Sequence, residues 1–222
     1  MSETLTPKER ETVARCLLFK DMTPREMDAA LTLLKAERRT FAKNEMIHEA
    51  GAPYRYAALV LHGAARSFYV TKQYDTVNLN NYETGDVVGL SVALFHPQYS
   101  PVELRASTAT TLLLLDFAIP APTRLEGMRL KLTKNVMDEL ARQNLFLNRR
   151  VMVLGQGSLR NRLLCFLASR RADEDGWVTV PFSRTALAEH LGANRSSLSR
   201  EIGRMVDEGV LEADGRRFRP VK

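Results

Sequence analysis

The run Asn194-Arg195-Ser196-Ser197-Leu198-Ser199-Arg200 places two guanidinium groups, three hydroxyls and one amide within seven residues. Arginine presents a planar fork of donors that matches a phosphate, or the O6/N7 edge of guanine, through two parallel hydrogen bonds. A serine hydroxyl is short and donates or accepts as its partner requires. No base is positioned here to activate a nucleophile, so this chemistry suits recognition of a polyanion better than bond making.

Those groups need a scaffold, and the flanking residues describe one. Ser183 can cap a helix running through Leu191, Gly192-Ala193 can turn the chain, and Asn194 can cap a second helix from Arg195 to about Asp207. Ala188, Gly192 and Leu198 stand at the spacing of a helix-turn-helix: a small residue for close approach, a glycine for the tight turn, an apolar residue to pack the second helix back. Leu187 and Leu191 supply the first helix's core face, and Leu198, Ile202 and Met205 the second's. Arg195, Ser196, Ser199 and Arg200 are then left on the opposite face near the helix start, where recognition helices carry their base-reading side chains. A solvated basic helix after an ordinary turn is the plainer alternative, and it leaves the three spacing matches unexplained. Val210-Leu211, Asp214-Gly215 and Arg217-Phe218-Arg219 form a β-hairpin pattern that completes a winged helix. The wing would offer Arg216, Arg217 or Arg219 to phosphates. The expected DNA-binding set is Arg195, Ser196, Ser199, Arg200, Ser183 and Arg216.

Upstream the pattern changes twice. Helices are expected over Pro7–Leu18 and after Thr23-Pro24, with Met27, Ala30, Leu31 and Leu34 at helical spacing. Short β-rich runs (Tyr56–Leu61, Ala64–Val70, Thr76–Leu79, Leu112–Phe117) follow, with turn residues at Gly51, Gly63, Gly85 and Gly89, as in an antiparallel roll or jelly roll. Pro120 and Pro122 close that region. A long helix to about Leu154 then carries Met137, Leu140, Asn144, Leu147, Val151 and Leu154 at spacings of 3, 4, 3, 4 and 3, a coiled-coil seam with a polar a position that favours a dimer interface over packing on its own domain. Gly155-Gln156-Gly157 breaks the helix, and Ser158 can cap the next. The expected fold class is α+β: an effector-sensing roll over 1–120, a dimerisation helix over 121–155, and a winged helix-turn-helix over 156–222.

Composition agrees. The 222 residues are 45% hydrophobic and 26% charged, with a net charge of +6. From Gln156 onward there are eleven Arg and one Lys against nine acidic residues, so half of the excess sits in the last third, almost wholly as arginine. No apolar stretch approaches the ~18–20 residues that cross a bilayer, and the N-terminus lacks the order of a secretion signal. Cys16 and Cys165 are too few for a disulfide framework, a Cys-rich zinc site or a four-Cys cluster. A cytoplasmic protein without a membrane partner is expected.

Taken in order, roll, long helix, glycine break and winged helix, the whole chain resembles the Crp/Fnr-type transcription regulators, most specifically at Gly85-Asp86-Val87-Val88-Gly89 and at Asn194–Arg200. The resemblance implies a homodimer on a pseudo-palindromic operator, a small-molecule effector bound between roll and long helix, and RNA polymerase as a further partner. The effector set it points to is Gly89, Leu90, Ser91, Arg105, Asn144, Leu147 and Asn148. In this family many members carry a glutamate at the position of Ser196. Cyclic-nucleotide-binding members carry a ribose-binding glutamate where this chain has Leu90, an Arg-Ser pair where it has Ser100-Pro101, and a polar adenine contact where it has Leu147. Those departures argue against cyclic AMP and toward a largely apolar pocket wall, with Arg105 a solvent-facing strand residue or a replacement anion ligand. The cofactor is open. His48, His62 and His96 lie in or near the roll, which keeps haem, and a haem-based gas or nitrosative-stress sensor, as an alternative. A cupin-type enzyme would need clustered ligands that are missing, and no Ser–His–Asp grouping, Walker loop or dinucleotide fingerprint is present, so no enzyme is expected.

Overall fold

The computed structural model describes residues 5–53, 55–71, 76–95, 100, 102–119, 126–180 and 183–221. His96, Pro101, Pro120 and Pro122, all used above, lie outside them. The chain divides into two compact units, Met1–Arg142 and Gln143–Lys222.

The N-terminal unit opens with α1 (Pro7–Arg15) and α2 (Pro24–Leu33). Thr6 and Thr23 cap them with Pro at the first helical position, and Glu9 and Glu26 close the capping boxes. The first helix is shorter than the sequence suggests. Cys16 adopts an extended backbone (ψ 136), and Leu17–Phe19 forms a separate 3-10 turn.

Eight strands follow: β1 (Glu37–Phe41), β2 (Met46–His48), β3 (Tyr56–His62), β4 (Ala64–Val70), β5 (Thr76–Glu83), β6 (Val87–Val88), β7 (Val102–Ala106) and β8 (Thr110–Asp116), with α3 (Leu90–Phe95) after β6. They form two antiparallel sheets ordered β1-β8-β3-β6 and β2-β7-β4-β5. β3 and β8 sit centrally and are buried on both faces, which is why Ala57–Leu61 and Leu112–Leu115 read as unbroken apolar runs. Ala58, Val60, Leu112 and Leu114 join Leu104 and Ala65 in one cluster. Ala57, Leu59, Leu61, Leu113 and Leu115 join the helices' Val13, Leu18, Met27, Leu34 and Leu90 in the other. Gly63 turns β3 into β4 at φ +85, and a Cβ there would stand 2.3 Å from the Ala109 carbonyl oxygen, so no side chain fits.

The long helix α4 spans Gly127–Leu154. In the N-terminal unit its Asn135, 4% exposed, donates to the carbonyls of Leu18 (3.1 Å) and Lys20 (2.8 Å). Lys131 reaches Glu26 at 2.8 Å and draws that carboxyl down to about 2. The division between units falls inside α4, ahead of the Gly155–Gly157 break. Leu140 packs against the N-terminal core and Val153 belongs to the C-terminal one.

The C-terminal unit continues with α5 (Leu159–Ala168), β9 (Val178–Thr179), α6 (Arg184–His190), α7 (Arg195–Asp207), β10 (Leu211–Asp214) and β11 (Arg217–Pro220). The strands order as β10-β11-β9, so the wing has a third strand beyond the expected hairpin. Its core gathers Val153, Leu163, Phe166, Leu187, Leu191, Leu198, Ile202, Met205, Leu211 and Phe218.

Candidate nucleic-acid interface

Ser183 caps α6, its hydroxyl accepting from the Ala186 N–H at 3.2 Å. The turn after α6 needs Gly192, at φ +65. A Cβ there would stand 3.1 Å from Leu154 Cδ2 and 3.4 Å from an Arg162 guanidinium nitrogen. Arg162 secures the turn from below, donating to the Leu191 carbonyl at 3.2 Å and the Gln156 carbonyl at 3.1 Å. Asn194 then caps α7, its Oδ1 accepting from the Ser197 N–H at 2.8 Å. Ala188, Leu198 and Met205 are fully buried, as the spacing requires.

With that stripe buried, Arg195, Ser196, Ser199 and Arg200 are all exposed. Asn194, Arg195, Ser196 and Ser199 line a shallow concavity at the helix start. Several arginines of this unit are held by carboxylates. Arg160 is held by Glu201 (2.8 Å) and Glu208 (2.6 Å), and Arg204 approaches Glu201 at 3.7 Å. On the wing, Arg217 pairs with Asp173 (2.9 Å) and Arg219 with Glu212 (2.5 Å), and both guanidinium groups lie against the Trp177 ring. Arg195, Arg200 and Arg216 have no carboxylate partner among the described residues. Of the three wing arginines named from sequence, Arg217 and Arg219 are therefore engaged by carboxylates, and Arg216, also exposed, is the one without such a partner among the described residues.

Sequence reasoning passed over Arg184, the first residue of α6. Its Nη2 donates to the Gly215 carbonyl at the wing turn (3.1 Å), and the guanidinium packs on the Phe218 ring. Its Nη1 is buried and meets no hydrogen-bond partner among the described residues. Burial, with Arg195 nearby, holds its pKa below the usual arginine value. An arginine directly after a capping serine was the available signal.

The other expected site residues are less concentrated. In the N-terminal unit, Gly89 turns at φ +70 and Ser91 is exposed, but Leu90 is fully buried in the core beneath the helices. Arg105 alternates with inward-facing Leu104 and Ala106, lies exposed opposite Arg66, and is engaged by Glu103. Ser100 is buried and its hydroxyl accepts from the Val102 N–H (3.4 Å). His48 is half-buried on β2, and His62 is exposed at the end of β3. Along α4, Asn144 and Asn148 are exposed and joined to each other, Asn148 donating to Asn144 Oδ1 at 2.9 Å. Met137, Leu147 and Val151 are more than half exposed, Leu140 and Leu154 less so. Leu130, one heptad before Met137, is also 52% exposed and extends the a register, which the sequence reading did not include.

A helix-turn-helix with an arginine-bearing wing, following a two-sheet roll, defines a winged-helix DNA-binding regulator. Comparison with known proteins agrees. Residues 38–118 match the cyclic nucleotide-binding domain, and residues 161–221 match the Crp-like helix-turn-helix domain. A curated relative, "Probable transcriptional regulator flp" of Lacticaseibacillus casei, is 27% identical over 207 residues, covering 91% of this chain and 90% of its own. Two solved structures share the fold. The c-di-GMP responsive global regulator CLP of Xanthomonas campestris has a TM-score of 0.62 at 17% identity, covering 90% of this chain and all of its own. FixK2 of Bradyrhizobium japonicum has a TM-score of 0.56 at 21% identity, covering 84% of this chain and 93% of its own. The chain belongs to the Crp/Fnr family of transcription regulators.

Proposed function

We propose that the chain acts as a cytoplasmic homodimer, paired along the exposed a and d positions of α4, on a pseudo-palindromic operator whose half-site centres lie about one helical turn, ~34 Å, apart. Arg195, Ser196, Ser199 and Arg200 meet base edges, while Ser183 and Arg216 meet phosphates. The observation that carries this reading is the placing of Arg195, Arg200 and Arg216 at the exposed start of α7 and at the wing turn, with no carboxylate partner among the described residues, in a unit that ties down Arg160, Arg217 and Arg219. Within the seam, Met137, Leu147 and Val151 have the apolar exposure a second helix would cover. The chain works by binding and meets RNA polymerase at its promoters.

The effector is sensed through the N-terminal domain and is not a cyclic nucleotide. A cyclic phosphate needs a cation or a nest of N–H donors. Leu90 is buried core, the Ser100 hydroxyl caps its own strand, and Arg105 is engaged by Glu103 on the outward face. A small apolar or aromatic compound fits such surroundings better.

Sedimentation with fluorescence anisotropy on duplexes selected from a random pool tests the assembly. A dimer at micromolar concentration is expected, more stable in Asn144→Leu and dissociated in Val151→Glu. A monomer with undiminished DNA affinity would contradict the seam. Calorimetry of ligand-free protein with cyclic AMP and cyclic GMP should give no heat of binding. Micromolar binding that disappears in Arg105→Ala would make Arg105 the replacement phosphate ligand.

A further inference from the structure

One oxygen at the start of α7 accepts two hydrogen bonds. Asn194 Oδ1 takes the Ser197 backbone N–H at 2.8 Å and the Ser196 hydroxyl at 2.8 Å. A backbone N–H can only donate, so the side-chain amide is oriented with its oxygen toward the helix. An amide oxygen can only accept, so the one hydroxyl proton of Ser196 is committed to it. What Ser196 Oγ presents outward, between Arg195 and Ser199 on the exposed face, is lone pairs alone.

We infer that Ser196 meets DNA as an obligate hydrogen-bond acceptor, oriented by Asn194, and so selects adenine or cytosine over guanine or thymine at one position of the contacted strand. In the major groove adenine and cytosine offer an exocyclic amino donor, at N6 and N4, whereas guanine offers O6 and thymine O4, both acceptors. A freely rotating serine hydroxyl would serve either kind of base. Turning it away from Asn194 to donate to a keto oxygen breaks a hydrogen bond already made. Keeping it in place sets two acceptors against each other. Asn194 is thus a positioning residue for specificity as well as the helix cap.

The inference rests on α7 being the DNA-reading helix, and the test separates the two. Full-length protein is measured against a duplex selected from a random pool, and each base pair of one half-site is inverted in turn. Inversion moves the amino donor to the other strand without changing composition. Wild type should lose about five- to tenfold in affinity when the pair facing Ser196 is inverted, the worth of one neutral hydrogen bond. A purine lacking the N6 amine, placed for adenine at that position, should weaken binding alike. Ser196→Ala should bring the ratio between the two orientations near one. Asn194→Gly keeps a tolerated cap residue and frees the hydroxyl, so it should also lose the discrimination, whereas Asn194→Asp keeps the acceptor and should preserve it. All three variants should retain the preference set by Arg200. A keto preference at the Ser196 position, or full discrimination in Asn194→Gly, overturns the inference while leaving the DNA-reading helix intact. Indifference to inversion at every pair, with Arg200→Ala equal to wild type, removes the helix itself from sequence reading and the inference with it.

Discussion

The two units treat arginine in opposite ways. On the strands of the N-terminal roll, Arg38 is bound by Glu9, Arg39 by Glu37 and Arg105 by Glu103, and at the head of β3 Arg55 reaches the buried Asp116. Arg66 is the exception, and it stands directly across from Arg105. In the C-terminal unit the carboxylates instead hold the arginines that brace α5 and the wing, leaving the opening turn of α7 and the wing turn unneutralised. A cation held by its own fold contributes to stability. A cation kept apart from every carboxylate adds little to the folded state and is positioned to meet an anion from outside.

The strongest way to break that contrast is to remove the support beneath the free arginines. Leu198 is fully buried, and Leu198→Ala should cost ~2–5 kcal/mol of stability in the C-terminal unit, read by chemical denaturation, with loss of DNA binding as α7 loosens. Next comes Arg200→Ala, which should leave stability unchanged and cost ~1–3 kcal/mol on the selected duplex while relaxing preference at one base pair. Equal losses on selected and random DNA would take Arg200 out of the reading set. Arg105→Ala should do the reverse. It strands the mostly buried Glu103 and so should lose about 1 kcal/mol of stability, with DNA affinity unaltered. The smallest effect is expected at the wing: Arg216→Ala should weaken binding to all sequences alike and lower the salt slope by about one unit. Arg217→Ala, whose partner is already Asp173, should change that slope much less.

The helix-turn-helix was legible because its evidence is local. Caps at Ser183 and Asn194, the glycine at 192 and the 3.6-residue apolar stripe all fall within two dozen neighbouring residues, and β3, β4, β5 and β8 announced themselves through β-rich runs. β1, β2, β6 and β7 did not. Glu37–Phe41 is mostly polar and half exposed, and Met46–His48 is only three residues long, too short for an alternation to mark it. Equally hidden was which wing arginine is free, because Asp173 and Trp177 lie some forty residues upstream of Arg217. The burial of Leu90 was hidden for the same reason: it depends on α1, α2 and β3 closing over it.

The chain contains a single tryptophan, and that ring lies against two guanidinium groups, Arg217 at 5.2 Å and Arg219 at 5.1 Å. Selective excitation therefore reports on one place in the molecule, the base of the wing, with no background from the roll. Cations close to an indole polarise its excited state, so any shift of either guanidinium as the wing meets DNA should change the emission colour or yield. The protein thus carries a built-in optical probe of wing engagement, usable without labels and unaffected by tryptophan signals from anywhere else in the chain.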